Sequence, residues 1–147
     1  MIKKIAIIFA VAIFIFLLDQ YTKSIFIDGF RYESSCIDLT LAYNKGVAFS
    51  MFEFLQEDLK YIQIGLVALV VGYMIYSLEG CYKIPIGILF GAAVSNIYDR
   101  FVHGGVVDMV YWHCGFDFAI FNLADVMIDL AVVWILLLNF KPKLCIK

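Results

Sequence analysis

Long apolar segments separated by polar loops dominate the pattern of this chain. The first segment follows Lys3 and Lys4 and, continued past a short polar group, extends to residue 27. A membrane-spanning helix needs about 20 predominantly apolar residues, and each of the four segments approaches or exceeds that length. The pattern predicts an α-helical polytopic membrane protein with four transmembrane helices, at about residues 5–27, 61–78, 81–98 and 118–140.

Composition supports lipid as the surrounding solvent. Hydrophobic residues make up 64% of the 147 residues and charged residues 16%, against roughly 45–50% and 25% in ordinary globular proteins. A single domain of this size has too little interior to hide so much apolar surface from water. The formal net charge of −2 also argues against a nucleic-acid partner, which requires a basic face.

The lysines predict the orientation of the four spans. An even number of spans places both termini on one side, where the short segments carry Lys3, Lys4, Lys83, Lys141, Lys143 and Lys147. By the positive-inside rule that side is cytoplasmic. A cleavable signal peptide is the alternative for the first segment, but Asp19-Gln20-Tyr21 stands where a small-x-small cleavage site would be needed.

The two longer loops, on the outer side, contain strand patterns. Alternation over residues 37–42 predicts a half-buried strand, and the turn at 43–46 predicts a hairpin with a returning strand at 47–52. Helical spacing over residues 52–59 indicates a short helix on the membrane surface. Residues 104–119 have two β-rich runs and could form a second hairpin.

Polar side chains within the spans are the candidates for chemistry, because ionisable groups in lipid are costly and usually functional. Asp19 and Lys23 are four residues apart and share one helical face. An ion pair that only anchors the helix end is the alternative for these two. The fourth span carries a polar stripe formed by Asn122, Asp125 and Asp129.

The third span combines a packing pattern with a polar end. Gly87, Gly91 and Ser95 recur every four residues, and such small residues allow close approach of a neighbouring helix. The polar residues that follow are Asn96, Asp99 and Arg100. A solvated helix end is the alternative for the two charged residues, whereas the Asn96 amide needs partners at that depth.

Asp108 and Asp125 are both expected at the outer rim of the bundle. Gly104 and Gly105 permit a tight turn before Asp108. Two carboxyl groups held close together cannot both ionise easily, so one retains a proton. Such a pair can act as base and acid together, one activating water and the other protonating the carbonyl or the leaving amine. The periodicity of the sequence permits this arrangement, but it does not give the distance between the two carboxyl groups.

Five strings of the sequence resemble, in order, the motifs of the lipoprotein signal peptidase (type II signal peptidase) family. They are DQYTK (19–23), NKGVAFS (44–50), GAAVSNIYDR (91–100), GGVVD (104–108) and FNLAD (121–125). The resemblance covers nearly the whole chain. It departs where Ser95 and Ala92 replace common glycines, and Asp129 lies outside the pattern, so we left Asp129 out of the catalytic set as a buried, protonated or paired acid.

The resemblance implies an aspartyl endopeptidase that removes the signal peptide of a prolipoprotein just before a diacylglyceryl-modified cysteine. It implies that Asp108 and Asp125 are catalytic and that the remaining polar residues position the substrate or support the site: Asn44, Gly46, Asn96, Arg100, Asn122, Asp99, Asp19 and Lys23. It also implies a β-cradle and a surface helix over the substrate. No metal or organic cofactor is implied, and the expected partners are the prolipoprotein and membrane lipids.

With the topology above, the resemblance implies a multi-pass monomer of the bacterial inner membrane with its active site near the extracytoplasmic face. Cys36 and Cys114 would share that face, and Cys81 and Cys145 the opposite one. A Cys36–Cys114 bridge is conceivable, but scattered cysteines favour free thiols.

Three other functions are compatible with some of these residues. Intramembrane carboxylates also serve in small ion or proton transporters, although a relay should distribute acids across the whole bilayer. A scaffold could use polar residues only to hold helices together. A metal hydrolase could use His103 and His113 with the aspartates, although the histidines lack the i, i+4 spacing of a zinc-binding helix.

Overall fold

The computed structural model describes residues 2–46, 56–77, 80–141 and 145. In this part of the chain four long helices frame a two-stranded sheet. The helices are α1 (Ile2–Ile27), α2 (Gln56–Ser77), α3 (Lys83–Val102) and α4 (Leu123–Phe140), and the strands are β1 (Ile37–Asn44) and β2 (Val106–Trp112). A single 3₁₀ turn, Gly80–Tyr82, leads into α3.

Three of the described helical segments are long and apolar enough to cross a membrane: Asp58–Ser77, Gly80–Val102 and Leu123–Phe140. They correspond to the second, third and fourth predicted spans. Helix α1 covers the first predicted span but is not one of these three, so its crossing of the membrane stays a prediction.

The fourth helix begins five residues later than we predicted from hydropathy. Phe121 is held in extended conformation because its backbone N–H and C=O bond to β2. Asn122, also extended, caps the helix that follows. Apolar residues at 118–121 are therefore part of the loop structure and not of the span.

Helix α3 lies at the centre of the bundle and packs against α1, α2 and α4. Its small-residue seam packs closely against a neighbouring helix, as predicted, and the structure shows that this helix is α1. A Cβ on Gly87 would lie 2.8 Å from the Ile8 carbonyl oxygen, and one on Gly91 would collide with the Ala12 backbone. Since lipid chains are as apolar as leucine, close packing of this kind is a main source of helix association in membranes.

The sheet joins the two loops to each other. Strand β1 pairs with β2 in antiparallel register, with Ile37 opposite Trp112 and Asn44 opposite Val106. The predicted returning strand at 47–52, and residues 52–55 of the predicted surface helix, lie outside the described residues. The second predicted hairpin does not form as a pair of strands. One edge of β2 is occupied by β1, and its other edge makes an isolated bridge to Phe121 and one backbone bond, from the Phe118 N–H to the Trp112 carbonyl oxygen.

The free-thiol expectation is also wrong, because the structure contains two disulfides. Cys36 is bonded to Cys114, and Cys81 to Cys145. Strand pairing brings Cys36 and Cys114 together across 78 residues of sequence, so their Cα atoms lie 4.4 Å apart. The first disulfide therefore ties the beginning of β1 to the loop after β2.

Candidate active site

The first turn of α4 holds Asp125 in a defined orientation. Asn122 Oδ1 accepts a hydrogen bond from the Asp125 backbone N–H at 2.9 Å, and Asp125 Oδ2 accepts one from the Asn122 N–H at 3.1 Å. This reciprocal capping box satisfies two N–H groups that a helix terminus leaves unpaired. The same cap therefore begins the helix and positions a carboxyl group of the site.

Two asparagine amides connect Asp125 to Asp108 on β2. Asn122 Nδ2 donates to Asp108 Oδ1 at 2.7 Å and to Asn96 Oδ1 at 3.1 Å. Asn96 Nδ2 in turn donates to Asp125 Oδ1 at 2.9 Å. Asn44, at the end of β1, also bonds to Asp108. The structure thus brings the two predicted aspartates into one hydrogen-bonded network.

Burial changes the acidity of Asp108, whose side chain is 2% exposed. Desolvation and the nearby charge of Asp125 raise the pKa of Asp108 from 3.8 to about 7, against the lowering effects of Asn44, Asn122 and Lys23. A carboxyl group with such a pKa is present in both protonation states near neutral pH. That is the property required of a general acid or base.

Asp19, Lys23 and Asp99 form a buried ionic network behind this pair. Lys23 Nζ lies 2.6 Å from Asp19 Oδ2 and 2.7 Å from Asp99 Oδ2, and it donates to Asn96 Oδ1 at 2.9 Å. All three charged side chains are at most 1% exposed. Lys23 therefore bridges two acids and orients the amide that bonds to Asp125.

The carboxylates of the same network position the backbone of the site. Asp19 Oδ1 accepts a hydrogen bond from the Ala124 N–H at 2.8 Å, at the beginning of α4. Asp99 Oδ2 accepts one from the Val107 N–H at 3.1 Å, next to Asp108. The network thereby ties α1 and α3 to the two segments that carry Asp125 and Asp108.

Arg100 fastens the end of β1 to α3. Its guanidinium donates to the carbonyl oxygens of Lys45 and Gly46. The Asn44 side chain accepts from the Gly46 N–H at 3.0 Å, which closes the turn. Gly46 is therefore part of the site through its backbone, and the turn holds Asn44 beside Asp108.

A cavity of about 520 Å³ opens in front of the two aspartates. Its polar lining comprises Asn44, Asn96 and Arg100 together with the pair, and also Gln63 and Asp129. Its apolar lining comprises Phe118, Ala119, Ile120 and Phe121 with apolar side chains of β2 and α4. A cavity with both kinds of lining can hold a peptide bond and an apolar chain at the same time.

Every predicted site residue lies in the cavity lining or in the networks behind it, but two side chains were missed. Gln20 Nε2 donates to Ser95 Oγ at 2.9 Å and to Asp99 Oδ1 at 2.7 Å. Gln63 lines the cavity. Gln63 is an amide in an otherwise apolar helical segment, and Gln20 lies within the polar group 19–23; buried amides need partners, and that signal could have identified both.

The expectation that Asp129 is a buried or paired acid is wrong. Its side chain is exposed and lines the cavity, and no described residue bonds or pairs with it. It lies on the stripe of α4 that faces the cavity and not on a face packed against another helix. The helical spacing that placed it on the stripe with Asp125 was correct.

The two histidines lie at opposite ends of the sheet. His103 follows α3, and its ring lies 6.0 Å from that of Tyr43, which is opposite the beginning of β2. His113 follows the end of β2, where its Nε2 lies 3.3 Å from Asp38 Oδ1. The sheet therefore does not bring them together at Asp108, as the metal-hydrolase alternative would require.

Comparisons with known proteins agree with this arrangement. The family model of signal peptidase II matches residues 11–141. A lipoprotein signal peptidase of Sulfurimonas denitrificans is 72% identical over 131 residues, covering 89% of this chain and 86% of that protein. One from Sulfurovum sp. (strain NBC37-1) is 52% identical over 148 residues, covering 96% and 99%.

Solved structures show the same architecture. A bacterial membrane enzyme determined by the in meso method has a TM-score of 0.78 and 26% identity, covering 94% of this chain and 90% of that one. A second has a TM-score of 0.76 at 26% identity, covering 90% and 91%. These matches do not support the transporter alternative. The chain belongs to the signal peptidase II family, membrane hydrolases that cleave signal peptides from prolipoproteins.

Proposed function

We propose that Asp108 and Asp125 are the catalytic pair and that the enzyme cleaves just before a diacylglyceryl-modified cysteine. The observation that carries this proposal is the hydrogen-bonded link between the two carboxyl groups through Asn96 and Asn122. Both aspartates line one cavity. The side chains that bond to the two carboxyl groups in this network are neutral amides. Neither carboxyl group is held in an ion pair there, so both can take part in proton transfer.

The two carboxyl groups can catalyse hydrolysis of the scissile peptide bond and return to their starting protonation states. Ionised Asp125 takes a proton from a water molecule whose oxygen attacks the scissile carbonyl carbon, while protonated Asp108 gives its proton to the carbonyl oxygen. A tetrahedral diol results. On its collapse the C–N bond breaks, Asp125 protonates the leaving amine and Asp108 recovers the hydroxyl proton. Both groups return to their starting states.

Asp108 is suited to the acid role by its position. Its pKa of about 7 means that a large fraction holds a proton near neutral pH. Asn122 and Asn44 bond to its carboxyl group and fix its direction. Held in place by the amides, the pair needs little reorganisation when the proton moves, and such preorganisation is a major source of catalytic rate.

The surroundings of the pair support a lipid-modified substrate. The apolar lining of the cavity includes residues 118–121, and these residues precede a helix that is long and apolar enough to cross the membrane. We place this end of α4 at the extracytoplasmic face of the bacterial inner membrane, with both termini cytoplasmic, from the lysine distribution.

The test is cleavage of a diacylglyceryl-modified precursor by the purified protein in lipid, with the unlipidated precursor as control. We expect a new N-terminus at the modified cysteine, identified by mass spectrometry, and little cleavage of the control. Equal cleavage of both precursors would remove the lipid requirement from the proposal. A chelator should leave the rate unchanged, and inhibition would favour a metal hydrolase.

A further inference from the structure

The cavity lining contains two polar side chains that the proposed mechanism does not use. Gln63 on α2 and Asp129 on α4 line the same cavity as Asp108 and Asp125. Asp129 lies four residues beyond Asp125 in α4, a displacement of about 6 Å along the helix axis. Apolar side chains of Val126 and Ile128 also line the cavity. Asp129 therefore lies about one turn further along the span than Asp125, and Gln63 reaches the same cavity from a neighbouring helix.

Neither group has a partner among the residues that the structure describes. Gln63 Oε1 is buried without a hydrogen bond, and no described side chain or backbone group bonds or pairs with Asp129. Unpaired polar atoms in an apolar setting are costly, and acids within membrane spans are functional by default. Both side chains present oxygen acceptors, so the missing partner is a hydrogen-bond donor.

A bound signal peptide would supply such donors. This step rests on the proposed function. A peptide bond within reach of the aspartates must be extended, and unwinding a helix frees backbone N–H groups. Each unpaired N–H in lipid costs several kcal/mol. The signal-peptide side of the scissile bond continues into the membrane, towards Gln63 and Asp129.

We propose that Gln63 and Asp129 are substrate-positioning residues. Their side-chain oxygens accept hydrogen bonds from backbone N–H groups of the signal-peptide residues just before the scissile bond. Because the contact is made to the backbone, it serves precursors with different side chains. It holds the extended segment in line with the catalytic pair.

Leucine substitutions test the contact. Gln63→Leu and Asp129→Leu each remove the acceptor, and we expect kcat/KM for the lipidated precursor to fall roughly three- to tenfold per substitution. Gln63→Glu and Asp129→Asn keep a side-chain oxygen and should recover most of that loss. Leu130→Ala, at an exposed neighbouring position of α4 outside the cavity lining, is the matched control and should not change the rate.

A modified precursor separates this role from a structural one. N-methylation of the two peptide bonds before the scissile bond removes the donors. The wild-type enzyme should lose activity with this precursor, and the leucine variants should lose little more than they already have. If N-methylation and a leucine substitution instead lower kcat/KM by independent factors that multiply, the proposal is overturned. The substitution would then act on something other than contact with the N-methylated peptide bonds.

The outcomes distinguish this inference from the proposed function. A wild-type enzyme that fails to cleave any lipidated precursor contradicts the function itself. A wild-type enzyme that cleaves the N-methylated precursor within about twofold of the normal rate contradicts only the role of Gln63 and Asp129, and this measurement needs no variant to fold.

Discussion

Two pairs of acids lie side by side in this protein, Asp19 with Asp99 and Asp108 with Asp125, and their partners differ. Asp19 and Asp99 both contact the Lys23 ammonium, at 2.6 and 2.7 Å. Asp108 and Asp125 instead bond to the neutral amides of Asn122 and Asn96. Burial alone is therefore not what separates a structural acid from one suited to chemistry.

The difference lies in what balances the charge. A cation that contacts a carboxylate compensates its charge in an ion pair. An amide fixes the direction of a carboxyl group without such compensation, so desolvation and the nearby charge of Asp125 raise the pKa of Asp108 to about 7. The lysine-paired acids accept hydrogen bonds from the backbone, whereas Asp108 and Asp125 line the cavity.

The largest expected effect is on catalysis by the amide-bonded pair. Asp108→Asn and Asp125→Asn should each lower cleavage of the lipidated precursor by about a thousandfold or more, because proton transfer to and from each group is lost. The thermal midpoint in detergent should change little, since asparagine retains an acceptor oxygen for the same amides. Activity that survives either substitution would show that the pair is wrongly assigned.

Lys23→Met should affect stability instead. Removal of the cation leaves two buried carboxylates uncompensated, which costs about 3–5 kcal/mol. The thermal midpoint or the yield of folded protein measures the loss. Lys3→Met, an exposed lysine of the same helix, is the control. A Lys23→Met protein as stable as the control would mean that the ionic network does not hold the scaffold.

Asn122→Ser separates capping from the orientation of Asp108. Serine caps helices about as well as asparagine, but it lacks the amide that donates to Asp108. We expect kcat/KM to fall roughly 10- to 100-fold, because small misplacements of reacting groups cost rates of that order. The capping contribution to stability should change by about 1 kcal/mol or less, and loss of the buried amide donor should cost about 1–3 kcal/mol. Asn139→Ser, exposed near the end of the same helix, should have no effect.

The smallest effect concerns the pH profile. Loss of the Asp108 proton near pH 7 should produce the alkaline fall of kcat/KM. Asn44→Ala removes a bond that lowers this pKa, so the alkaline limb should move to higher pH. If the alkaline fall of kcat/KM occurs at the same pH in Asn44→Ala as in wild type, Asp108 is not the titrating acid.

The same group links stability to pH. The pKa of Asp108 is 3.8 before burial and about 7 in the folded protein, so the folded state binds the proton more tightly. The stabilisation that comes from the Asp108 proton is fully present below the pKa of the unfolded chain, 3.8, and is lost as pH rises through the folded pKa of about 7. The midpoint of wild type should therefore fall more between about pH 5 and about pH 8 than that of Asp108→Asn.

Local pattern predicted most of the scaffold. Lipid requires backbone groups to bond within their own segment, so long apolar runs become helices. Three of them agree closely with α2, α3 and α4, apart from the beginning of α4. Helical spacing also predicted the Gly87–Gly91 seam and the stripe from Asn122 to Asp129, because the period of a helix is the same wherever it packs.

The pairing of distant segments was beyond that pattern. Alternation predicted a strand at β1 but not β2 as its partner, and scattered cysteines did not indicate the Cys36–Cys114 bond. The strand pairing and the disulfide both depend on which loops meet in the folded protein. Local periodicity describes single segments and carries no information on which segments meet.

The sequence by itself determined a membrane helix bundle with a set of polar residues towards one rim, and its motifs singled out Asp108 and Asp125. Only the tertiary structure decided that Lys23 lies between Asp19 and Asp99 while Asn122 joins the other two acids. The physical reason is that a periodic pattern gives the face of a helix on which a side chain lies. The packing of α1, α3, α4 and β2 determines which partner it meets.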